Sequence, residues 1–194
     1  MKCKTGMPTP TVQQLEAELR RESYRRRYRR MLRSTVAVLA VVAAIVVLVS
    51  TFFLPVLKIY GASMAPTLTD GDLVLSVRSG SYTRGDVIAF YYNNKILVKR
   101  VIALPGEWIE IDHEGNVRID DVPLQEPYLV EKALGECDIV FPYQVPDGRY
   151  LVMGEHRSTS SDSRRMDVGC VAEEQVVGRL VFRIWPLRLW GTID

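Results

Sequence analysis

The sequence predicts a mainly β domain of antiparallel sheets, preceded by one N-terminal transmembrane helix. Three features predict it: an uncharged apolar run, an arginine-rich leader before that run, and short β-rich runs between turn residues after it. The 194 residues therefore divide into a basic leader (1–33), a transmembrane helix (34–54) and a β-rich domain (55–194). About 140 residues are enough for the last segment to bury its own core.

The run from Ser34 to Leu54 contains no charged side chain, and as a helix it would be about 30 Å long, which matches a bilayer core. A buried core helix, the first alternative, seldom needs so long a run without a charge. A cleaved secretory signal, the second, would have a shorter apolar stretch and a shorter basic region, whereas 33 residues precede this run. We therefore expect an uncleaved membrane anchor.

Charge is distributed unevenly along the chain. Residues 1–33 carry a net charge of +7 and residues 55–194 a net charge of −5, which gives the overall +2. Because a nucleic-acid-binding protein would carry basic charge on its folded domain, that class is excluded. The eight arginines between Arg20 and Arg33 predict a cytoplasmic leader that is helical and contacts anionic lipid headgroups. The domain after Pro55 is then extracytoplasmic.

Seven strands are predicted in the β-rich domain, since short β-branched and aromatic runs alternate there with turn residues. They are Asp72–Val77, Asp86–Tyr92, Ile96–Ala103, Trp108–Ile111, Asn116–Ile119, Gly148–Met153 and Gln175–Trp185. Asn93 and Asn94 are expected to form a tight hairpin turn between two of them. Residues 124–143 show no pattern that predicts their fold.

Cys137 and Cys170 are a candidate disulfide, because both are expected outside the membrane, where such a bond persists. The bond requires that the fold bring their Cα atoms within about 7 Å of each other. Cys3, in the leader, is expected to be a free thiol. Two histidines without a paired-cysteine or His-Glu-x-x-His motif predict neither a metal site nor a cofactor.

Three motifs in the domain carry chemistry. Ser63 lies between small residues in Tyr60–Leu68, which suits a nucleophile, although most such serines are turn residues. Lys99 lies in an otherwise apolar strand, where a lysine more often reaches solvent past the sheet. The third motif, Met153–Arg164, has the composition of a polar surface loop.

Together, in this order and behind an anchor, the motifs resemble the bacterial type I signal peptidase family, serine endopeptidases with a Ser–Lys dyad. The resemblance runs from Ile59 to Pro186 and rests on Ser-Met-x-Pro-Thr-Leu at 63–68 and Lys-Arg-Val-Ile-x-Leu-Pro-Gly at 99–106. It implies a fold like that of signal peptidases and repressor proteases. It also implies removal of N-terminal signal peptides from secretory preproteins after small residues, typically Ala-x-Ala.

The resemblance implies that Ser63 is the nucleophile and Lys99 its general base. A serine hydroxyl is a poor nucleophile until a neighbour takes its proton. A lysine can take that proton only when it is neutral, and burial among apolar neighbours lowers its pKa from about 10.4. Lys99→Arg is therefore predicted to be inactive.

The resemblance assigns supporting roles to residues of the third motif. Ser160 matches a serine that orients the lysine, and Asp162 matches an aspartate bridged to arginines, here Arg164 and Arg100. At Glu155, His156 and Thr159 the loop departs from the commonest family pattern. Gly61 lacks the hydroxyl with which some members help to hold the oxyanion, so the Ser63 main-chain N–H is one donor and the second is open.

The substrate is expected to bind as an extended strand beside Ile59, Tyr60 and Gly61 and along Ile96–Val98. Met64 is expected near the first of two shallow pockets that admit small residues. An exposed apolar patch that could contact lipid is expected near the C-terminus. Its residues are Trp185, Leu187, Leu189 and Trp190.

Three alternatives to this function stay open at the level of sequence. The first is a Ser–His–Asp triad of Ser63, His156 and Asp162. The second is a membrane-tethered Ser–Lys protease that cleaves only itself. The third is a non-catalytic β-rich binding module on a membrane stalk, for which Ser63 and Lys99 would be dispensable.

Overall fold

The computed structural model describes residues 12–53 and 55–193, and for residues 49–53 it describes the main chain alone. Cys3, which the sequence predicts to be a free thiol, lies outside the described residues. The chain divides into two compact units after Ser50. Each unit is described by itself.

One long helix, α1, runs from Val12 to Phe53, and its residues up to Ser50 are the described part of the first unit. The predicted helical leader is confirmed over residues 12–33, where Arg26 pairs with Glu22 one turn earlier at 3.1 Å. Between Val12 and Leu48 the helix is long and apolar enough to cross a membrane, and none of its most apolar window is buried. Exposed apolar side chains on every face suit a helix surrounded by lipid.

The second unit consists mainly of antiparallel strands, which confirms the predicted fold class. The strands are β1 (Val56–Lys58), β2 (Leu73–Val77), β3 (Val87–Tyr92), β4 (Lys95–Ala103), β5 (Trp108–Ile111), β6 (Val117–Ile119), β7 (Val122–Pro123), β8 (Tyr143–Gln144), β9 (Arg149–Met153), β10 (Val171–Ala172), β11 (Val176–Trp185) and β12 (Gly191–Thr192). The larger sheet has the order β1-β2-β11-β3-β4-β9-β10, with β12 added to β11, and the smaller sheet has the order β7-β6-β5-β8.

All seven predicted strands are present, and each boundary lies within one residue of the prediction. Asn93 and Asn94 have φ values of 43° and 62°, which the hairpin turn between β3 and β4 requires at both positions. The strands that the sequence did not predict, β1, β7, β8, β10 and β12, have only two or three residues each. So short a segment carries no readable alternation, since its pairing depends on its neighbours.

Burial along β4 alternates between two core clusters, because successive side chains point to opposite faces of a strand. Val101 belongs to one cluster with Ile88 and Val152, whereas Ile102 belongs to another that fills the space next to the smaller sheet. A third cluster, which includes Ile59, Met64, Leu68, Val74 and Leu180, lies under the loop between β1 and β2. That loop carries Ser63, so its position is set by the core.

The candidate disulfide is not formed, because Cys137 and Cys170 are both free. The Cys170 thiol is buried in the core next to the smaller sheet and lies 3.8 Å from the Tyr143 hydroxyl. The Cys137 thiol contacts the Ile139 carbonyl at 3.6 Å. Each sulfur thus has a contact of its own, and burial raises the pKa of both thiols, which disfavours the reactive thiolate.

Candidate active site

The structure brings together the two side chains that the sequence singled out as nucleophile and base. Lys99 on β4 donates a hydrogen bond from Nζ to Ser63 Oγ at 2.7 Å. The lysine is 3% exposed, whereas the serine is half-buried and open to the cavity described below. The pair therefore has the distance and the accessibility that nucleophile activation requires.

Burial determines the protonation of Lys99. Loss of water around the ammonium lowers the pKa of Lys99 from its ordinary 10.5 to about 8, while the charge of Asp162 acts to raise it and that of Arg164 to lower it. The two opposing charges partly cancel, so desolvation determines the direction. At pH 7 about one amine in ten is thus neutral and able to accept a proton.

The loop that carries Ser63 is tied down at both ends by main-chain hydrogen bonds. Ile59 donates to the Asp72 carbonyl at 2.8 Å, and Gly71 donates back to the Ile59 carbonyl at 3.0 Å. Gly61, with a φ of +86° that favours glycine, donates its N–H to Asp70 Oδ1 at 2.8 Å. Met64 inserts its side chain into the core directly after Ser63. The hydroxyl of Ser63 is thereby held in one place.

The polar loop of the third motif lies directly against the main chain of Ser63. His156 donates its main-chain N–H to the Ser63 carbonyl at 3.1 Å. A methyl group at Gly154 would lie 2.7 Å from that carbonyl oxygen and 2.1 Å from Ser160 Oγ, so no larger residue fits without a shift. The Met153–Arg164 loop, which has the composition of a polar surface turn, therefore forms one wall of the site.

Ser160 is in this wall but does not make the expected hydrogen bond to Lys99. Its hydroxyl is buried and has no hydrogen-bond partner of standard geometry among the described residues. It does lie close enough to the Asp162 carboxylate to help lower the pKa of that acid. The expected hydrogen bond from Ser160 to Lys99 is therefore wrong. The Ser160 hydroxyl lies beside the Asp162 carboxylate instead.

Asp162 forms only one of its two expected arginine contacts. It pairs with Arg164 at 2.8 Å, both side chains are fully buried, and it also accepts the Gly154 N–H at 2.9 Å. The salt bridge of Arg100 is with Glu155 at 2.5 Å, which corrects the expected link to Asp162. The reason lies in strand alternation, since Arg100 points away from the face of β4 on which Asp162 acts on Lys99.

Glu155 and Arg183 both hold the loop that carries Ser63, through contacts with Thr67. One carboxylate oxygen of Glu155, Oε2, accepts the Thr67 main-chain N–H at 3.3 Å. The other oxygen, Oε1, accepts hydrogen bonds from Nε and Nη2 of Arg100. Arg183 on β11 donates to the Thr67 carbonyl and lies 3.5 Å from Asp72. The sequence singled out Glu155 only as a departure from the family pattern and did not single out Arg183. No local signal marks a contact between residues 116 positions apart.

Residues 124–143, whose fold the sequence did not predict, are held by buried side-chain contacts. Glu126 forms a buried salt bridge with Arg157, and the Tyr128 hydroxyl donates to Glu126 Oε1 at 2.8 Å. The Arg100 guanidinium lies 4.2 Å from the centre of the Tyr128 ring. Burial and the neighbouring carboxylate raise the pKa of Tyr128, so it stays a neutral donor. Apart from Tyr143 in β8, the segment has no strand or helix.

A groove of about 600 Å³ leads to Ser63 between two segments of the domain. One wall is formed by residues 56–61 with Ser63 and Met64, and the other by residues 95–99 of β4. In the described sheet, β4 pairs with β9 only from Arg100 onward, so one edge of residues 95–99 is left unpaired. Of the residues expected to bind substrate, Ile59 and Met64 are buried in the wall, whereas Tyr60 and Gly61 are exposed at the groove.

The four apolar residues expected in a surface patch are all exposed. Their exposed fractions are Trp185 52%, Leu187 68%, Leu189 44% and Trp190 66%. Trp190 packs edge-to-face on Phe182 with ring centres 5.8 Å apart, which fixes its orientation. The patch is thus an ordered apolar surface on the second unit.

The Ser–His–Asp alternative does not match the geometry. The Nδ1 atom of His156 lies 2.7 Å from the Thr159 hydroxyl, and the His156 side chain is exposed. The salt bridge of Asp162 is with Arg164, and the contact made by the Ser63 hydroxyl is with Lys99. A triad would instead require the imidazole between the serine and the aspartate.

A serine hydroxyl held against a buried amine, at the end of an open groove, defines a hydrolase of the serine type. The chain matches the family model described as Signal peptidase, peptidase S26, over residues 32–185. Signal peptidase IB of Staphylococcus aureus is 34% identical over 160 residues, which cover 72% of this chain and 82% of the relative. Probable signal peptidase I-1 of Synechocystis sp. is 36% identical over 146 residues, which cover 68% and 71%.

A crystal structure of a signal peptidase I from Enterococcus faecalis V583 is similar with a TM-score of 0.45 and 31% sequence identity, over 52% of this chain and 97% of that chain. The chain belongs to the type I signal peptidases of the peptidase S26 family. It is therefore a serine endopeptidase that removes signal peptides from secretory preproteins.

Proposed function

We propose that this signal peptidase cleaves its substrates with a Ser63–Lys99 dyad. The single observation that carries the proposal is the 2.7 Å contact between Lys99 Nζ and Ser63 Oγ, made by a lysine whose pKa is lowered to about 8. Neutral Lys99 takes the hydroxyl proton as Ser63 attacks the carbonyl before the scissile bond. The protonated amine then gives that proton to the departing amine of the mature protein.

The acyl-enzyme that results is hydrolysed by a water molecule that Lys99 activates in the same way. Negative charge on the carbonyl oxygen needs a donor in both steps, and the Ser63 main-chain N–H is the donor we assign. Four residues act as positioning residues, because they hold the walls around Lys99 rather than the reacting atoms themselves. They are Ser160, Asp162, Arg164 and Arg100.

The substrate binds in the groove as an extended chain, with main-chain hydrogen bonds to the unpaired edge of residues 95–99 and to Ile59–Gly61. Alternate substrate side chains then point into the wall near Met64. Because that wall is filled by buried core side chains, it admits only small residues, as in Ala-x-Ala. The groove supports this mode of binding by its shape and by the edge left open on β4.

The chain is anchored by residues 34–54, with residues 1–33 in the cytoplasm and residues 55–194 outside. The arginines of the leader support this orientation. Ser63 is nine residues beyond Leu54 in the sequence, so the proposed nucleophile follows the anchor closely along the chain. The exposed patch at Trp185–Trp190 would rest on the outer leaflet.

A cleavage assay with detergent-solubilised full-length protein and an added preprotein tests the dyad. Ser63→Ala and Lys99→Ala should each abolish cleavage, whereas the matched surface variants Ser81→Ala and Lys132→Ala should retain it. Cleavage at the wild-type rate by either dyad variant would overturn the dyad. Cleavage of the protein itself without turnover of the added preprotein would indicate the self-cleaving alternative.

A further inference from the structure

A second cavity, with walls separate from those of the groove, lies next to the loop that carries Ser63. It has a volume of about 190 Å³, and its walls come from the residues just after Ser63, from the third motif and from the 124–143 segment. These residues are Ala65, Pro66, Val130, Glu131, Glu155, His156, Arg157 and Ser158. None of them lines the groove, whose walls include Ser63 and Met64.

We infer that this cavity binds the first residues of the mature protein, the part of the substrate that departs as an amine. The inference rests on the proposed function, because it takes Ser63 as the point of cleavage. A peptide that enters along the groove and passes Ser63 Oγ must continue beyond it. The cavity begins two residues after Ser63, and its His156 wall is hydrogen-bonded to the Ser63 carbonyl at 3.1 Å.

The charges in the walls predict what this cavity selects. Glu155 and Arg157 are buried and form salt bridges with Arg100 and Glu126. Glu131 is exposed, and it forms none of the salt bridges found in the part of the chain that the structure describes. The carboxylate of Glu131 therefore leaves net negative charge at the cavity, which should favour a basic residue and disfavour an acidic one.

The 124–143 segment owes its position at the cavity to the contacts that anchor it. The Glu126–Arg157 salt bridge and the Tyr128 ring on Arg100 fix the chain just before Val130 and Glu131. Val130 is 84% exposed, so its side chain offers an apolar surface to a bound peptide. A segment without regular secondary structure thereby becomes a specificity element for the mature side of the substrate.

The test compares preprotein substrates that are identical up to the cleavage site and carry Lys, Ala or Asp at each of the first three mature positions. At one of these positions the wild-type enzyme should cleave the Lys substrate about three- to fivefold more efficiently than the Asp substrate, as an exposed charge pair predicts. That ratio should fall to about one in Glu131→Gln and should reverse in Glu131→Lys. The control Glu174→Gln, an exposed acid outside the cavity, should keep the wild-type ratio.

A ratio that is the same in the wild type and in both Glu131 variants, at all three positions, would overturn the inference. The readout is the ratio of cleavage efficiencies for two substrates. A variant that loses activity on all substrates equally therefore leaves this ratio unchanged. Failure of the inference is also distinguishable from failure of the proposed function. The Ala substrate tests the dyad independently of the Lys and Asp substrates. The wild type should cleave it and Ser63→Ala should not.

Discussion

The pH dependence of cleavage is the most direct test of a buried, neutral Lys99. Lowering the pKa from 10.5 to about 8 corresponds to about 3 kcal/mol in favour of the neutral amine. At pH 7 about one amine in ten is then neutral, against about one in three thousand for an unperturbed lysine. Burial is thus expected to make the base several hundredfold more available at neutral pH.

We expect kcat/KM to rise about tenfold per pH unit below pH 8 and to level off above it, since the neutral form is the active one. The measurement uses a fluorogenic peptide without titratable groups near the cleavage site, the detergent-solubilised enzyme and a range from pH 6 to pH 10. His156→Ala provides the control, because an exposed imidazole outside the dyad should leave the midpoint of the profile where it is.

Three results would refute this reasoning. The first is a profile that is flat from pH 6 to pH 9. The second is a midpoint that moves when His156 is replaced. The third is measurable cleavage by Lys99→Arg, because a guanidinium stays protonated throughout this range and cannot accept the proton of Ser63.

Two further substitutions test the walls of the site. Gly154→Ala should lower kcat/KM about a hundredfold, because its methyl group would displace Ser160 and the Ser63 carbonyl; activity close to that of the wild type would contradict the tight contact. Glu155→Gln should destabilise the domain by about 3–5 kcal/mol, because it removes the buried carboxylate charge that pairs with Arg100. A thermal unfolding curve should then shift down by about 10 °C, and an unchanged midpoint would show that the salt bridge does not stabilise the fold.

The strands and the hairpin turn were predictable from the sequence because they depend on local patterns. Alternation along β4 and two asparagines that tolerate positive φ are visible within ten residues. The approach of Ser63 to Lys99 is not local. We expected this approach from the family resemblance, and in the structure Lys99 Nζ lies 2.7 Å from Ser63 Oγ.

The parts that the sequence did not predict depend on contacts between distant residues. Asp162 and Glu155 both carry carboxylates in one short loop. The face of β4 from which Arg100 projects decides which of the two forms a salt bridge with it. The 124–143 segment has no periodicity because the buried charges of Glu126 and Arg157, not strand pairing, hold it in place. The free thiols of Cys137 and Cys170 follow from where the fold puts each sulfur, and spacing carries no information about that.

On the proposed mode of substrate binding, the unpaired edge of β4 beside Ser63 has a consequence for the range of proteins that one such enzyme can process. Main-chain amides and carbonyls are the same in every polypeptide, so capture along this edge is indifferent to sequence. Discrimination is left to the few side chains that must fit next to Ser63. The proposed mode of binding therefore lets a single active site serve many exported proteins of different sequence, because recognition of the main chain and recognition of the side chains are separate.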